Sequence, residues 1–214
     1  GAVLPAGWLM RAFLDANVLF PTVQRELLLE VAHLYEPLWS EKVLDEWYFS
    51  VLAKLGEEAA AIAHAELLVL RTRFPFASVQ ENRSMLGTGD RLALLKSITL
   101  PDASDRHVIV SAIRGGADVI VTSNRKDFPQ RTMAVLGLRS ISPDEFVALL
   151  MVDSLPEVLA GAWHVVRRAE AAGGAISPSA LFKRARLSRL GKAMARQSDK
   201  EMPPAEPGRG HARN

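Results

Sequence analysis

Asp118-Val119-Ile120-Val121-Thr122 sets three β-branched residues in succession with no polar alternation. A strand with one wet face alternates apolar and polar residues. A strand apolar at successive positions is buried on both faces, as in a parallel sheet roofed by helices. Helical signals flank it. Residues 105–114 carry apolar positions at three- and four-residue steps and stop at Gly115-Gly116, where left-handed backbone can end a helix. Downstream, residues 138–141 read as a weaker strand. Pro143 then opens a helix to about Met151 at its first position, where a missing N–H does no harm.

The alternation extends upstream. Residues 10–14 form a short apolar run ending in Asp15. Residues 26–35 repeat Leu27, Leu28, Val31 and Leu34 at helical period, and 36–39 read as a short strand. Ser40 suits the N-cap of a helix to about Leu55, with Glu41 in its first turn, and 57–73 form an alanine-rich helix. Pro75 and Pro101 bracket a segment of weaker signals, in which 98–100 read as a strand end. Strands alternating with helices predict an α/β fold built on a parallel sheet. After Val152 the strand signals stop. Residues 155–172 read as helix, Gly173-Gly174 breaks it, and Ser177-Pro178 starts another. From Gln197 onward Pro, Gly and charge dominate, which reads as disorder. The expected organisation is an α/β domain over 1–152, a helical extension packed on or beside it over 153–196, and a disordered tail over 197–214.

The 214 residues are 49% hydrophobic and 23% charged, ordinary for a chain that buries a core. Zero cysteines exclude disulfides, thiolate metal sites and cysteine nucleophiles. The longest apolar runs fall far short of the roughly 20 residues of a membrane helix. The first nine residues lack the basic and apolar regions of a signal peptide. No membrane association and a cytoplasmic location are therefore expected. The net charge of +2 hides an asymmetry: from Trp163 onward eleven Lys and Arg face four acids, net +7, which leaves −5 for the rest. Leu181, Leu187 and Leu190 interleave with Lys183, Arg184, Arg186 and Arg189 in a basic amphipathic stretch. It suits RNA phosphates or an acidic partner, and equally a solvated face.

Ligands of open parallel sheets gather outside the carboxyl ends of the strands. Asp15 follows the first strand. Asp102 and Asp105 follow the third, expected at 98–100, and open a helix. Asn124 and Asp127 follow the strand ending at Thr122. Glu46 lies about two turns into the helix after the second strand. Singly, each acid reads as a helix or turn cap. Jointly, carboxylates converging on one edge repel one another, and a hard divalent cation, Mg²⁺ or Mn²⁺, relieves that repulsion.

Four ordered pieces carry a resemblance: Phe13-Leu-Asp15-Ala-Asn17-Val-Leu19, Leu44-Asp-Glu46, Leu100-Pro-Asp102-Ala-Ser-Asp105-Arg-His107-Val and Ile120-Val-Thr122-Ser-Asn124-Arg-Lys-Asp127-Phe128-Pro. From about Met10 to Leu150 the chain resembles the PIN domain family of metal-dependent ribonucleases, which includes the VapC-type toxins, in a larger subgroup with a helical C-terminal extension. The resemblance implies a three-layer α/β/α sandwich and an endoribonuclease of a type II toxin–antitoxin pair. It implies an RNA substrate, a protein antitoxin and, commonly, a homodimer. It assigns catalysis to Asp15, Glu46, Asp105 and Asp127, and metal binding to these with Asp102 and Asn124. Asn17, Thr122 and Ser123 support them. Many relatives carry an aspartate where this chain has Asn124. Either Asp127 supplies the missing charge or a second metal binds weakly. Asn124 also keeps open a PIN fold that binds RNA or protein with little or no cleavage. His107 is expected to pack or cap. An aspartyl phosphatase would have a second aspartate where Asn17 stands, and a dinucleotide-binding Gly-x-Gly-x-x-Gly is missing after the first strand.

Overall fold

The computed structural model describes residues 9–80, 87–174 and 176–201. Strand β1 (Arg11–Leu14) leads through the short helix α1 (Ala16–Leu19) into α2 (Thr22–Glu30), then to strand β2 (Glu36–Leu38). Helices α3 (Glu41–Leu55) and α4 (Glu57–Arg73) follow, then α5 (Thr88–Lys96), α6 (Arg106–Gly115) and strand β3 (Val119–Val121). Helix α7 (Gln130–Val135), strand β4 (Arg139–Ile141) and the helices α8 (Pro143–Ala171), α9 (Pro178–Arg184) and α10 (Ser188–Glu201) complete it.

The four strands form one all-parallel sheet in the order β2-β1-β3-β4. Ala12, Phe13, Leu14, Val119, Ile120 and Val121 are all buried. Successive side chains point to opposite faces, so both faces of the central strands are covered. The chain passes from β1 to β2 on one side and from β3 to β4 on the other. The order therefore reverses between β1 and β3, and the crevice beyond their carboxyl ends is the topological switch point.

Local signals explain most boundaries. Ser40 Oγ accepts from the Val43 N–H and caps α3. Gly116, in left-handed backbone, ends α6. Ser142 and Glu145 form a reciprocal capping box on α8, with Pro143 at its first turn. One expectation fails between Pro75 and Pro101. Residues 98–100 join no strand, and the preceding stretch forms α5. Only Thr88 and Leu95 of α5 are buried, so its sequence lacks a broad apolar stripe. Asp102 and Asp105 thus follow a helix and a turn. The helix expected over 26–35 starts earlier, at Thr22, and yields to a 3₁₀ turn at Ala32–Leu34.

Helix α8 runs through position 152, where the domain boundary was expected, with a kink at Ser154 just before Pro156. At 29 residues it is long and apolar enough, by length and composition, to cross a membrane, although acidic residues break its apolar runs. Val158, Ala162, Val165 and Val166 on its second half are buried, and it packs along α2. Phe182, Leu187, Leu190 and Met194 of the extension join the same hydrophobic cluster as the sheet. At ~1.5–3 kcal/mol for each such side chain, this contact holds the extension firmly. Helix α10 continues to Glu201, past the expected end of the extension at Arg196. The rest of the expected tail, 202–214, lies outside the described residues, as does the start, 1–8. Trp39 and Trp47 are core residues, Tyr48 is half-buried and Phe49 is exposed.

Candidate active site

Asp15 sits where β1 ends. Its backbone N–H donates to the Val121 carbonyl at 3.1 Å, which stitches the ends of β1 and β3 together. Its carboxylate, nearly buried, accepts the Thr122 hydroxyl at 2.8 Å and the Asn17 amide at 2.5 Å on Oδ2. Asn17 also accepts the Ser123 N–H at 2.8 Å. The Thr122 oxygen takes the Asn124 N–H at 3.0 Å. Thr122, fully buried, and Asn17 therefore hold the Asp15 carboxyl in one orientation. Burial pushes its pKa up, against the hydrogen bonds from Thr122, Ala16 and Asn17 that favour the charged form.

A cavity of about 720 Å³ opens over this crevice. Asp15, Asn17 and Ser123 line its floor. Glu46, Ser50 and Lys54, spaced four residues apart on one face of α3, form one wall. Ser104, Asp105 and His107 come from the turn at Ala103–Asp105 and the start of α6. Arg184 at the end of α9, with Ala185 and Arg186 just beyond it, lines it as well, as does Gln24 of α2.

The carboxylates sense one another. Asp105 is pushed up to about 6, first by burial and then by Asp15, Asp102 and Asp127. Glu46 is raised by burial; Lys42 opposes this, while Asp15, Asp105 and Asp45 add to it. This is the repulsion that a cation would relieve. Among the described residues, no three His, Asp or Glu side chains stand close enough to make a ready-formed metal site.

The remaining expected residues are distributed as follows. Asp102 is exposed and outside the cavity lining, and its carboxylate accepts the Ser104 N–H at 2.8 Å and hydroxyl at 2.7 Å. Those bonds hold its pKa below the usual range. The Asn124 amide donates to the Asp127 carboxylate. Of the four basic residues, Arg184 and Arg186 line the cavity. Lys183 does not, and Arg189 lies 3.7 Å from Asp144, whose carboxylate also accepts its backbone N–H.

His107, expected to pack or cap rather than act as a base, is largely buried and also holds a second carboxylate. Its Nε2 donates to Glu46 Oε1 at 2.9 Å. Burial, helped by Lys42, lowers its pKa to about 4, so the ring is neutral at pH 7. Its position two residues after Asp105 was the available signal. Gln24 and Lys54 had none, because their place in the cavity depends on how α2 and α3 pack.

Fold and site together define an α/β protein with a carboxylate-lined cavity at the switch point of a parallel sheet. Over 43 residues the chain is 42% identical to the protein named "Putative ribonuclease VapC50" of Mycobacterium tuberculosis (strain ATCC 25618 / H37Rv). The matched segment is 20% of this chain and 25% of that relative, so the chain matches about a quarter of the relative's length. No family model matches the chain, and no solved structure matches it.

Proposed function

We propose that this protein is a metal-dependent endoribonuclease of PIN type, a three-layer α/β/α sandwich acting as the toxin of a type II toxin–antitoxin pair. The observation that carries this reading is the meeting of Asp15, Glu46 and Asp105 in one cavity beyond β1 and β3. The partial likeness to a protein named as a VapC ribonuclease supports it.

The donor set fits a hard divalent cation. It is all oxygen, anionic, and raised in pKa by burial and mutual repulsion. Asp15, Glu46 and Asp105 would hold Mg²⁺ or Mn²⁺, with Asp127 nearby. When bound, such an ion supplies positive charge to the attacking and leaving oxygens of a phosphodiester. Thr122 and Asn17 fix the Asp15 carboxyl, and neutral His107 fixes Glu46. A carboxylate of the cluster accepts the proton shed by the attacking water. Attack at phosphorus breaks the bond to the 3′ oxygen, which takes a proton from solvent as it leaves, giving a 5′-phosphate and a 3′-hydroxyl. A protein antitoxin covering the cavity, and a homodimer, belong to the same reading.

The test is cleavage of total RNA by purified protein in Mn²⁺, Mg²⁺ or EDTA, with Asp15→Asn beside wild type. Cleavage that needs both metal and Asp15, with unchanged circular dichroism in the variant, is the expected result. Equal activity of the variant would refute the site. No cleavage by folded, inhibitor-free wild type would favour a non-catalytic binding module, in which the Asn124 amide occupies Asp127.

A further inference from the structure

Three observations meet at the turn between α9 and α10. Arg184 and Arg186 line the cavity that holds Asp15, Glu46 and Asp105, and both are exposed. Neither forms an ion pair among the described residues. Arg186 adopts φ +58°, a conformation that glycine takes without strain. The Arg186 N–H donates to Lys183 O at 3.0 Å and the Leu187 N–H to Phe182 O at 2.8 Å, closing a Schellman turn. Gln24, only 2% exposed, reaches from α2 and donates its amide to Ala185 O at 2.6 Å, fastening the residue between the two arginines to the body.

A turn that served only to reverse the chain would be relieved by glycine at 186. An arginine held in left-handed backbone, beside a second arginine and over an anchored carbonyl, indicates a task for the guanidinium groups. Lys183 and Arg189 belong to the same basic stretch but stay outside the cavity. The arrangement also answers a charge problem. Carboxylates lining the cavity repel a polyanion, so a strand entering here needs cations in the same lining, and Arg184 and Arg186 supply them. Guanidinium groups match phosphate oxygens two at a time. A carboxylate from a protein partner would pair with the same guanidinium groups, but as an isolated anion rather than one of a regular series. A nucleic-acid strand presents phosphates at a regular spacing, so that one can stand over the carboxylates while its neighbours meet the guanidinium groups.

We propose that Arg184 and Arg186 clamp the backbone phosphates of a single-stranded RNA that flank the one over Asp15, Glu46 and Asp105, with Gln24 as the positioning residue. This rests on the nuclease reading above and makes the extension part of the active site.

The experiment is fluorescence anisotropy of a 5′-fluorescein single-stranded RNA 12-mer with the full chain in EDTA, over a salt series. Arg184→Gln and Arg186→Asn are compared with wild type and with the control Lys183→Gln. Asparagine tolerates left-handed backbone, so Arg186→Asn removes charge without adding strain. Each arginine variant is expected to weaken binding about tenfold and to flatten the slope of log K against log salt by about 0.7. Lys183→Gln is expected to match wild type. Gln24→Met is expected to weaken binding in the wild-type background and to add nothing once both arginines are replaced, a coupling that general destabilisation would not give. Metal-dependent cleavage by wild type with unchanged slopes in the variants would overturn the clamp alone. RNA affinity that survives in the variants while binding of fluorescein-labelled polyglutamate is lost would overturn it in favour of an acidic protein partner. Wild type that neither binds nor cleaves RNA would overturn the nuclease reading and the clamp together.

Discussion

His107 donates its Nε2–H to Glu46 across 2.9 Å, so an imidazole two residues beyond Asp105 aims a second carboxylate at the same cavity. Replacing it with leucine frees Glu46. Loss of such an orienting partner typically costs about 10–100-fold in metal affinity or activity. We expect a fall of that size in cleavage by His107→Leu at limiting Mn²⁺, with partial recovery at high Mn²⁺. Because the ring stays neutral above its pKa of about 4, His107 adds no inflection to the rate between pH 6 and 8. A wild-type inflection near 6.5 that vanishes in His107→Leu would contradict this.

Asp105 gives a stability prediction of definite sign. Its folded pKa of about 6 lies above the ordinary aspartate value of 3.8, so the folded state holds its proton longer. Its contribution to stability is present below about pH 4 and is lost as pH rises through 6. In EDTA at pH 7, Asp105→Asn should stabilise the fold by about 1 kcal/mol, after discounting for solvent screening of a partly exposed group. That corresponds to roughly 2–4 °C in Tm by differential scanning calorimetry. His107 works in the opposite sense, with stability lost as pH falls from 6.5 toward 4. The variant should therefore weaken on acidification across that window more steeply than wild type.

Asn124→Asp exchanges an amide donor for a carboxylate facing Asp127. Two adjacent carboxylates repel, so Tm in EDTA should fall. Mn²⁺ should restore it, and cleavage should rise if metal occupancy limits the rate. Thermal melts with and without Mn²⁺ decide it. A variant equally stable in both, with unchanged cleavage, would show that this position does not limit metal binding.

Much of this was legible in the sequence because the signals are local. The unbroken apolar run 119–121, the cap at Ser40, the glycine pair after α6 and the Ser142–Glu145 box need nothing beyond their neighbours. Asp15 was legible because it directly follows a strand. Helix α5 was not, because a helix with two buried residues has no stripe to read. Asp102, three residues before Asp105 and equally acidic, turns back on Ser104. Only the placement of the turn separates the two. Gln24, and the choice of Arg184 and Arg186 over Lys183 and Arg189 within the basic stretch, were illegible for a different reason. Their roles exist only once α2, α9 and α10 have packed.

The seam between α2 and α8 offers a packing test. A Cβ at Gly161 would stand 2.8 Å from Val31 Cγ1 and 3.3 Å from Glu30 Cγ. Glu30 can give way, but Val31 is fully buried. Alanine gains about 1 kcal/mol of helix propensity and loses about 1–3 kcal/mol to overpacking. Gly161→Ala should therefore lower stability by about 1 kcal/mol in urea unfolding, with a single transition for the whole chain. Two separate transitions would mean that the extension melts on its own.

The hydroxyl that orients Asp15 lies 107 residues further along the chain. A ribosome adding roughly 5–20 residues per second needs about 5–20 s to cover that distance. Throughout that interval the growing polypeptide exposes a first carboxylate that has Asn17 beside it but neither Thr122 nor the strand before Thr122, and the turn carrying Arg186 is made later still. On the nuclease reading, a protein synthesised amid its own substrate is harmless while it is being made, because the order of translation delays assembly of its site.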